Sequence, residues 1–194
     1  MHQEQVTSVT ITIDDDGSVL GGIVHTINNN TPSIRISAPA LSTVEVFDGE
    51  ISLGTFTAGA DPGGSTFTLP ELADGVHNIY HQYTPFGGGE GTTSDRSDTP
   101  LRITIDSTPP SITSSSTATA IDENSGAGQV VYTATSSDAS AIYSLSGEDA
   151  SYFSIESSTG VVTLTDNPDY ETKNVYAFTL HAIDDNSNVS EQIV

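Results

Sequence analysis

The 194-residue chain has no cysteine, no tryptophan, one methionine and only four lysine or arginine residues. Each shortage excludes something. Without cysteine there are no disulfides and no thiolate metal ligands. Four basic side chains cannot neutralise a phosphate backbone, which argues against nucleic acid and anionic membrane surfaces as partners. No window approaches the roughly 20 consecutive apolar residues of a membrane span, so no membrane insertion is expected. Acid, in contrast, is abundant: 26 Asp and Glu residues give a formal net charge of −22. A disulfide-free chain with this many carboxylates points to stabilisation by a bound cation.

Low hydrophobicity with high net charge is also the mark of disorder. Here, however, the acids fall in pairs and triplets at the ends of alternating apolar runs, as in a folded β protein with charged loops. Period-two runs rich in Val, Ile, Thr, Phe and Tyr occupy 9–13, 34–36, 43–47, 66–69, 77–83 and 101–105. A second set occupies 129–135, 141–145, 153–155, 160–165 and 175–182. Turn clusters separate them: Asp48-Gly49, Asp61-Pro62-Gly63-Gly64, Asp74-Gly75 and Ser158-Thr159-Gly160. Apolar residues do not recur at helical spacing over any long window. Many short strands at this spacing predict an all-β fold of antiparallel sandwiches.

A boundary is expected at Asp106-Ser107-Thr108-Pro109-Pro110, because paired prolines hold an extended path and cannot donate ladder hydrogen bonds. About seven strands then fall on each side. The prediction is two tandem Ig-like, Greek-key β-sandwiches, 1–107 and 108–194. Residues 1–6 carry His2 and Glu4 and no apolar stretch, so they do not read as a signal peptide. The run 189–194 reads as a strand that stops halfway. Together these suggest a fragment of a longer chain, expected to be monomeric.

The first half resembles the bacterial Ig-like repeats of large surface adhesins. The resemblance lies in Asn30-Thr31-Pro32, in Val44-Glu45-Val46-Phe47-Asp48-Gly49 and in Leu53-Gly54-Thr55. It continues through Phe67-Thr68-Leu69-Pro70, Leu72-Ala73-Asp74-Gly75-Val76-His77 and Ile103-Thr104-Ile105-Asp106, covering most of 28–110. The segment Tyr83-Thr84-Pro85-Phe86-Gly87-Gly88-Gly89 departs from the family's usual short polar loop. The second half resembles a cadherin-like repeat over nearly its whole length. The carriers are Ile121-Asp122-Glu123-Asn124, Val130-Val131-Tyr132-Thr133-Ala134-Thr135, Ser158-Thr159-Gly160-Val161-Val162, Asp169-Tyr170-Glu171 and Ala182-Ile183-Asp184. This tandem order is similar to segments of type I-secreted, RTX-type adhesins, whose export signal is C-terminal. The resemblance implies an extracellular location on a bacterial cell surface.

Calcium takes six to eight oxygen ligands, mostly carboxylates and carbonyls, so a site built from loops needs acids at one end of a sandwich. Seven-stranded topology predicts that the first half gathers Asp14, Asp15, Asp16, Asp74 and Asp106 at its exit end. The second half gathers Asp138, Asp184, Asp185 and Asn186 at its entry end. The cadherin resemblance implies Asp138 and Asp184 as calcium ligands shared with the preceding domain. It implies Glu123, Asp169 and Glu171 as ligands shared with the following one. Two departures weaken the entry end: Ser136 replaces an expected Asp, and the linker lacks the usual Asn-Asp pair. The metal ligands expected are thus Asp14, Asp16, Asp106, Asp138, Asp184, Glu123, Asp169 and Glu171, all for Ca2+.

Catalysis has little support in the sequence, since a Ser-His-Asp set is defined by geometry that sequence order does not show. His25, His77, His81 and His181 are spread over strands and loops, and no G-x-S-x-G elbow occurs. His77, just after Asp74-Gly75, is expected to bond back to the backbone at a corner, with His81 and Tyr83 on its strand face. Phe86 is expected to pack back onto the sandwich. The function predicted is a calcium-rigidified extender of a cell-surface adhesin, with neighbouring repeats of the same chain as partners. The alternative is a module that binds a glycan or a surface protein.

Overall fold

Short runs alternating apolar and polar residues present one face to a core and the other to water, and this is what makes them strands. The computed structural model describes residues 12–13, 25–61, 64–87, 93–94, 96–97 and 100–194, with backbone alone at 12, 13 and 25. Asp14 and Asp16 lie outside the described residues. The chain divides into two compact units, Met1–Ser107 and Thr108–Val194. No α-helix occurs among the described residues.

Unit 1 contains β1 (Thr12–Ile13), β2 (His25–Ile27), β3 (Ser33–Ile36), β4 (Thr43–Asp48), β5 (Ile51–Thr57), β6 (Ser65–Thr68), β7 (Gly75–Thr84) and β8 (Leu101–Ile105). They form a five-stranded sheet ordered β2-β8-β7-β4-β5 and a three-stranded sheet ordered β1-β3-β6. Two pairings are parallel, β1 with β3 and β2 with β8. Ile34 and Ile36 from one sheet meet Val44, Val46, Ile79, Leu101, Ile103 and Ile105 from the other in a single core. Each of these side chains, fully buried, contributes about 1.5–3 kcal/mol.

The β7 corner is tied by His77. Its Nε2 lies 2.8 Å from the Ala73 carbonyl oxygen, the expected bond back to the backbone. Its Nδ1 lies 2.6 Å from Asp48 Oδ2, and Asp48 Oδ1 accepts the Asn78 N–H at 2.9 Å. Both ring nitrogens face acceptors, so both are satisfied only when the ring is charged. Burial opposes that charge, but the hydrogen bonds to Asp48 and Ala73 outweigh it and hold the pKa above its ordinary value. Stability from a raised histidine pKa is complete below the unfolded value of about 6.5. It is lost as pH rises through the folded value. Unit 1 should therefore melt at higher temperature at pH 6 than at pH 8, and His77→Gln should shrink that difference in scanning calorimetry. An unchanged difference would remove the His77–Asp48 pair as its source.

Unit 2 contains β9 (Val130–Thr133), β10 (Ile142–Ser146), one 3-10 turn (Ala150–Tyr152), β11 (Phe153–Ile155), β12 (Val161–Leu164), β13 (Thr179–Ile183) and β14 (Val189–Ile193). Its sheets are β11-β12-β9 and β10-β13-β14, all antiparallel. Between them lie Tyr132, Val162, Leu164, Phe178, Leu180 and Ala182. Phe178 stands edge-on to Phe153, ring centroids 4.9 Å apart.

Two expectations need correction here. In the run 175–182 the strand starts at Thr179, and only Phe178 before it bonds across, exchanging backbone hydrogen bonds with Val194 at 3.1 and 2.9 Å. The cause is a side-chain clamp: Asp149 Oδ2 accepts the Ala177 N–H at 2.9 Å, and Lys173 Nζ sits 2.8 Å from Asp149 Oδ1. These contacts tie residues 173–177 to a carboxylate instead of a neighbouring strand. Strand numbers also differ from seven and seven: eight and six are described.

Candidate metal centre

The register of β9 on β12 sets Val130 beside Thr163. The start of β9 and the end of β12 are therefore adjacent, and so are the loops that precede the one and follow the other. Hydrogen bonds tie these loops together. Asn124 N–H donates to the Pro168 carbonyl at 2.9 Å, and Gly126 N–H to Asn167 Oδ1 at 2.7 Å. Asn124 has φ 58, a left-handed conformation that Asn tolerates better than most residues. Gly128 N–H closes the loop onto the Leu164 carbonyl at 2.8 Å.

Three carboxylates converge there. Ligand oxygens of Glu123, Asp169 and Glu171 all lie within 4.8 Å of one another, and all three residues are exposed. Asp169 is held by its own turn. Its Oδ1 accepts the N–H groups of Glu171 at 3.1 Å and Thr172 at 3.3 Å, and its Oδ2 accepts the Thr172 hydroxyl at 2.7 Å. The Thr172 hydroxyl, followed by the backbone donors, holds the Asp169 carboxyl below its ordinary pKa range. It is therefore ionised at neutral pH, beside two further acids. Lys173, next in the chain, is drawn to Asp149 and lies 5.6 and 5.2 Å over the rings of Tyr152 and Tyr176.

This donor set suits a hard cation. It offers up to six carboxylate oxygens and no nitrogen or sulfur, matching calcium rather than zinc. Convergent like charges repel, and a divalent ion is what would relieve that repulsion.

The remaining expected ligands sit elsewhere. Ile142 pairs with Ile183, so the Asp138 loop before β10 and the Asp184 loop after β13 occupy one end of unit 2, opposite the Glu123 loop. Each closes its own turn. Asp138 Oδ1 accepts the N–H and hydroxyl of Ser140 at 2.9 and 2.8 Å. Asp184 Oδ1 accepts the N–H groups of Asn186 and Asn188 at 2.9 and 2.8 Å, and Oδ2 the Asn188 amide at 2.9 Å. Within unit 2 these two acids are not gathered into a three-carboxylate group. In unit 1, Asp106 donates its N–H to the Ile27 carbonyl at 2.9 Å, and Asp74 Oδ1 accepts the Ser107 N–H and hydroxyl. Reading the residues alone misses Thr172, although Asp followed three positions later by Thr is a local capping spacing. It misses Asp149 and Lys173 as well. Phe86 was expected to pack inward, but it is 77% exposed.

Residues 101–194, just under half of the chain, match the family described as Cadherin domain. Among solved structures the chain is similar to mouse cadherin-23 EC22-24, with 21% identity over 79% of this chain and 52% of that one, at TM-score 0.38. It is also similar to mouse clustered PcdhgC3 EC1-3, with 15% identity over 96% and 62%, at TM-score 0.43. A third is Drosophila N-cadherin EC1-4, with 17% identity over 80% and 40%, at TM-score 0.38. The chain thus spans about half the length of the first of these. No curated protein matches the chain in sequence. The chain is all-β among the described residues, and the family match falls on its C-terminal unit. No helix among the described residues is long and apolar enough to cross a membrane.

Proposed function

We propose that the chain is a calcium-rigidified extender of a large bacterial cell-surface adhesin, a bacterial Ig-like domain (1–107) followed by a cadherin-like domain (108–194). The observation that carries this reading is the convergence of Glu123, Asp169 and Glu171 at one end of unit 2. There they would hold calcium together with the next repeat. Asp138 and Asp184, at the other end of unit 2, would bind calcium as well, and the sequence offers Asp106, Asp14 and Asp16 as further ligands. That second site rests on the sequence resemblance and on the shared end of the Asp138 and Asp184 loops. Calcium would supply charge neutralisation and a stiff link between repeats in a chain of net charge −22. Small-angle scattering tests this: the maximum dimension should be larger and the flexibility lower with calcium than with chelator. Identical curves would dispose of the stiffening role.

Phe86 favours a second reading. An aromatic ring 77% exposed beside Gly87 can stack on a sugar or a partner side chain. If the unit 1 loop is a binding module, glycan-array or cell-surface binding should drop about tenfold or more in Phe86→Ala, in line with aromatic hot spots. Equal binding by both proteins, or none by either, leaves the extender reading alone.

A further inference from the structure

The outward face of the β10-β13-β14 sheet carries a hydroxyl, an imidazole and a carboxylate in sequence. Ser144 pairs with His181, and His181 pairs with Glu191. Ser146, two positions along β10, shares that face. Its Oγ lies 2.6 Å from His181 Nε2, and His181 Nδ1 lies 3.3 Å from Glu191 Oε1. A carboxylate beside Nδ1 favours the proton there, which leaves Nε2 to accept from the Ser146 hydroxyl. This is the order of nucleophile, base and orienting acid by which activated serines are recognised, whatever the fold.

The surroundings support a reactive site rather than a mere surface hydrogen bond. The His181 side chain is 18% exposed, so the base is shielded from water, while Ser146 is open. Gly147 follows at φ 103, and its N–H bonds to no backbone carbonyl among the described residues. A donor directly after the nucleophile is where an oxyanion would need one. Apolar groups flank the trio. Ile193 faces Thr179, which faces Ser146, and Ile193 is 73% exposed. Ile142 and Val189, on the same face, are 52% and 44% exposed.

We propose that Ser146 is an activated nucleophile that accepts acyl groups from small apolar esters, with His181 as its base and Glu191 as a positioning residue. Ser146 Oγ bonds to the ester carbonyl carbon as its proton passes to His181 Nε2. The bond from that carbon to the leaving alcohol then breaks, and the alcohol takes the proton from His181. Water then gives a proton to His181 Nε2 as its oxygen bonds to the acyl carbon, the bond to Ser146 Oγ breaks, Oγ takes the proton back from His181, and the carboxylic acid leaves. This reading is independent of the calcium sites.

The 194-residue chain would be treated with an alkyl fluorophosphonate, which bonds to activated serines with loss of fluoride, and separately with p-nitrophenyl butyrate. Peptide mass spectrometry should place the phosphonyl label on Ser146, about 10²-fold faster than on the exposed Ser157 and Ser158, the scale of general-base assistance. Ser146→Ala should lose that label and the nitrophenolate release. His181→Gln should fall to the Ser157 rate. Glu191→Gln should lose about tenfold, because its amide can donate to Nδ1 and favour the wrong tautomer, while Glu191→Asp recovers part of the rate. Unchanged circular dichroism melts in the variants exclude unfolding as the cause. Ser146 labelling no faster than Ser157, or a His181→Gln chain as reactive as the native one, would overturn the proposal. Equal rates in the Glu191 variants would overturn the positioning role.

Discussion

Calcium at a hundred times its dissociation constant should raise the melting transition of unit 2 by about 10–20 °C over its value in chelator. A ligand that binds the folded form alone stabilises it by RT ln(1 + [L]/Kd), about 2.7 kcal/mol at that ratio. For a domain of this size each kcal/mol moves the midpoint by about 4–8 °C. Extracellular calcium modules bind near 10⁻⁴–10⁻³ M, so the titration must run to about 10–100 mM. Asp169→Asn should remove most of the shift. The amide can still accept from Thr172 and Glu171, so the turn survives while the charge is gone, and the variant should melt close to the native chain in chelator. Asp184→Asn separates the two ends of the unit: it should spare the Glu123 site and reduce only what a second ion at the Asp138–Asp184 end contributes. Acid should abolish the response. Asp169 has a lowered pKa, so its contribution is present above the unfolded value of about 3.8 and is lost as pH falls through the folded one. Coincident melting curves with calcium and with chelator, at neutral pH, would leave the three acids as a solvated surface.

What the sequence makes legible follows its period. Leu101, Ile103 and Ile105 alternate with polar residues, and in β8 those three are the buried ones. The same alternation in 175–182 turns Tyr176, Phe178, Leu180 and Ala182 toward the core, but strand pairing does not reach back to Ala177, because a binary pattern does not report a competing acceptor. Asp149 is polar and sits in an acidic stretch, so nothing local marks it as nearly buried or as the group that captures Ala177. Glu123, Asp169 and Glu171 were nameable through the cadherin resemblance, since they come from two distant loops that no periodicity joins. Their scaffold was partly legible: Asp169 and Thr172 carry a capping spacing that stands in the sequence itself. Asp138 and Asp184 show the ordinary use of Asp beside Ser and Asn, closing turns on neighbouring N–H groups. Ser146, His181 and Glu191 were illegible as a set. Three strands contribute one residue each, and only the register brings them into line.

Gly160→Ala should destabilise unit 2 by about 2–5 kcal/mol, a large share of the 5–15 kcal/mol that holds an ordinary domain together. Gly160 has φ 69, and its carbonyl accepts the Ala134 N–H at 2.8 Å. The turn is closed by Gly160 N–H on the Glu156 carbonyl at 2.8 Å. A Cβ added here would stand 2.7 Å from the Ala134 carbonyl oxygen and 2.8 Å from the Ala134 Cβ. Neither atom belongs to a flexible side chain, so the backbone of the turn or of Ala134 must move. The left-handed conformation costs an L-residue about 1–2 kcal/mol and the overpacking about 1–3 more. Gly128 separates the two contributions. It has φ 80, but a Cβ there meets nothing within 4 Å. Gly128→Ala should therefore cost only the conformational part, about 1–2 kcal/mol. Urea midpoints of the two variants measure the difference, and equal midpoints would show that the Ala134 contact contributes nothing. Gly160 lies at the start of β12 and the acid cluster beyond its other end, so the calcium increment should be the same in Gly160→Ala as in the native chain, as for sites without shared partners. A lost increment would mean that the turn at one end of β12 helps to set the ligand loop at the other.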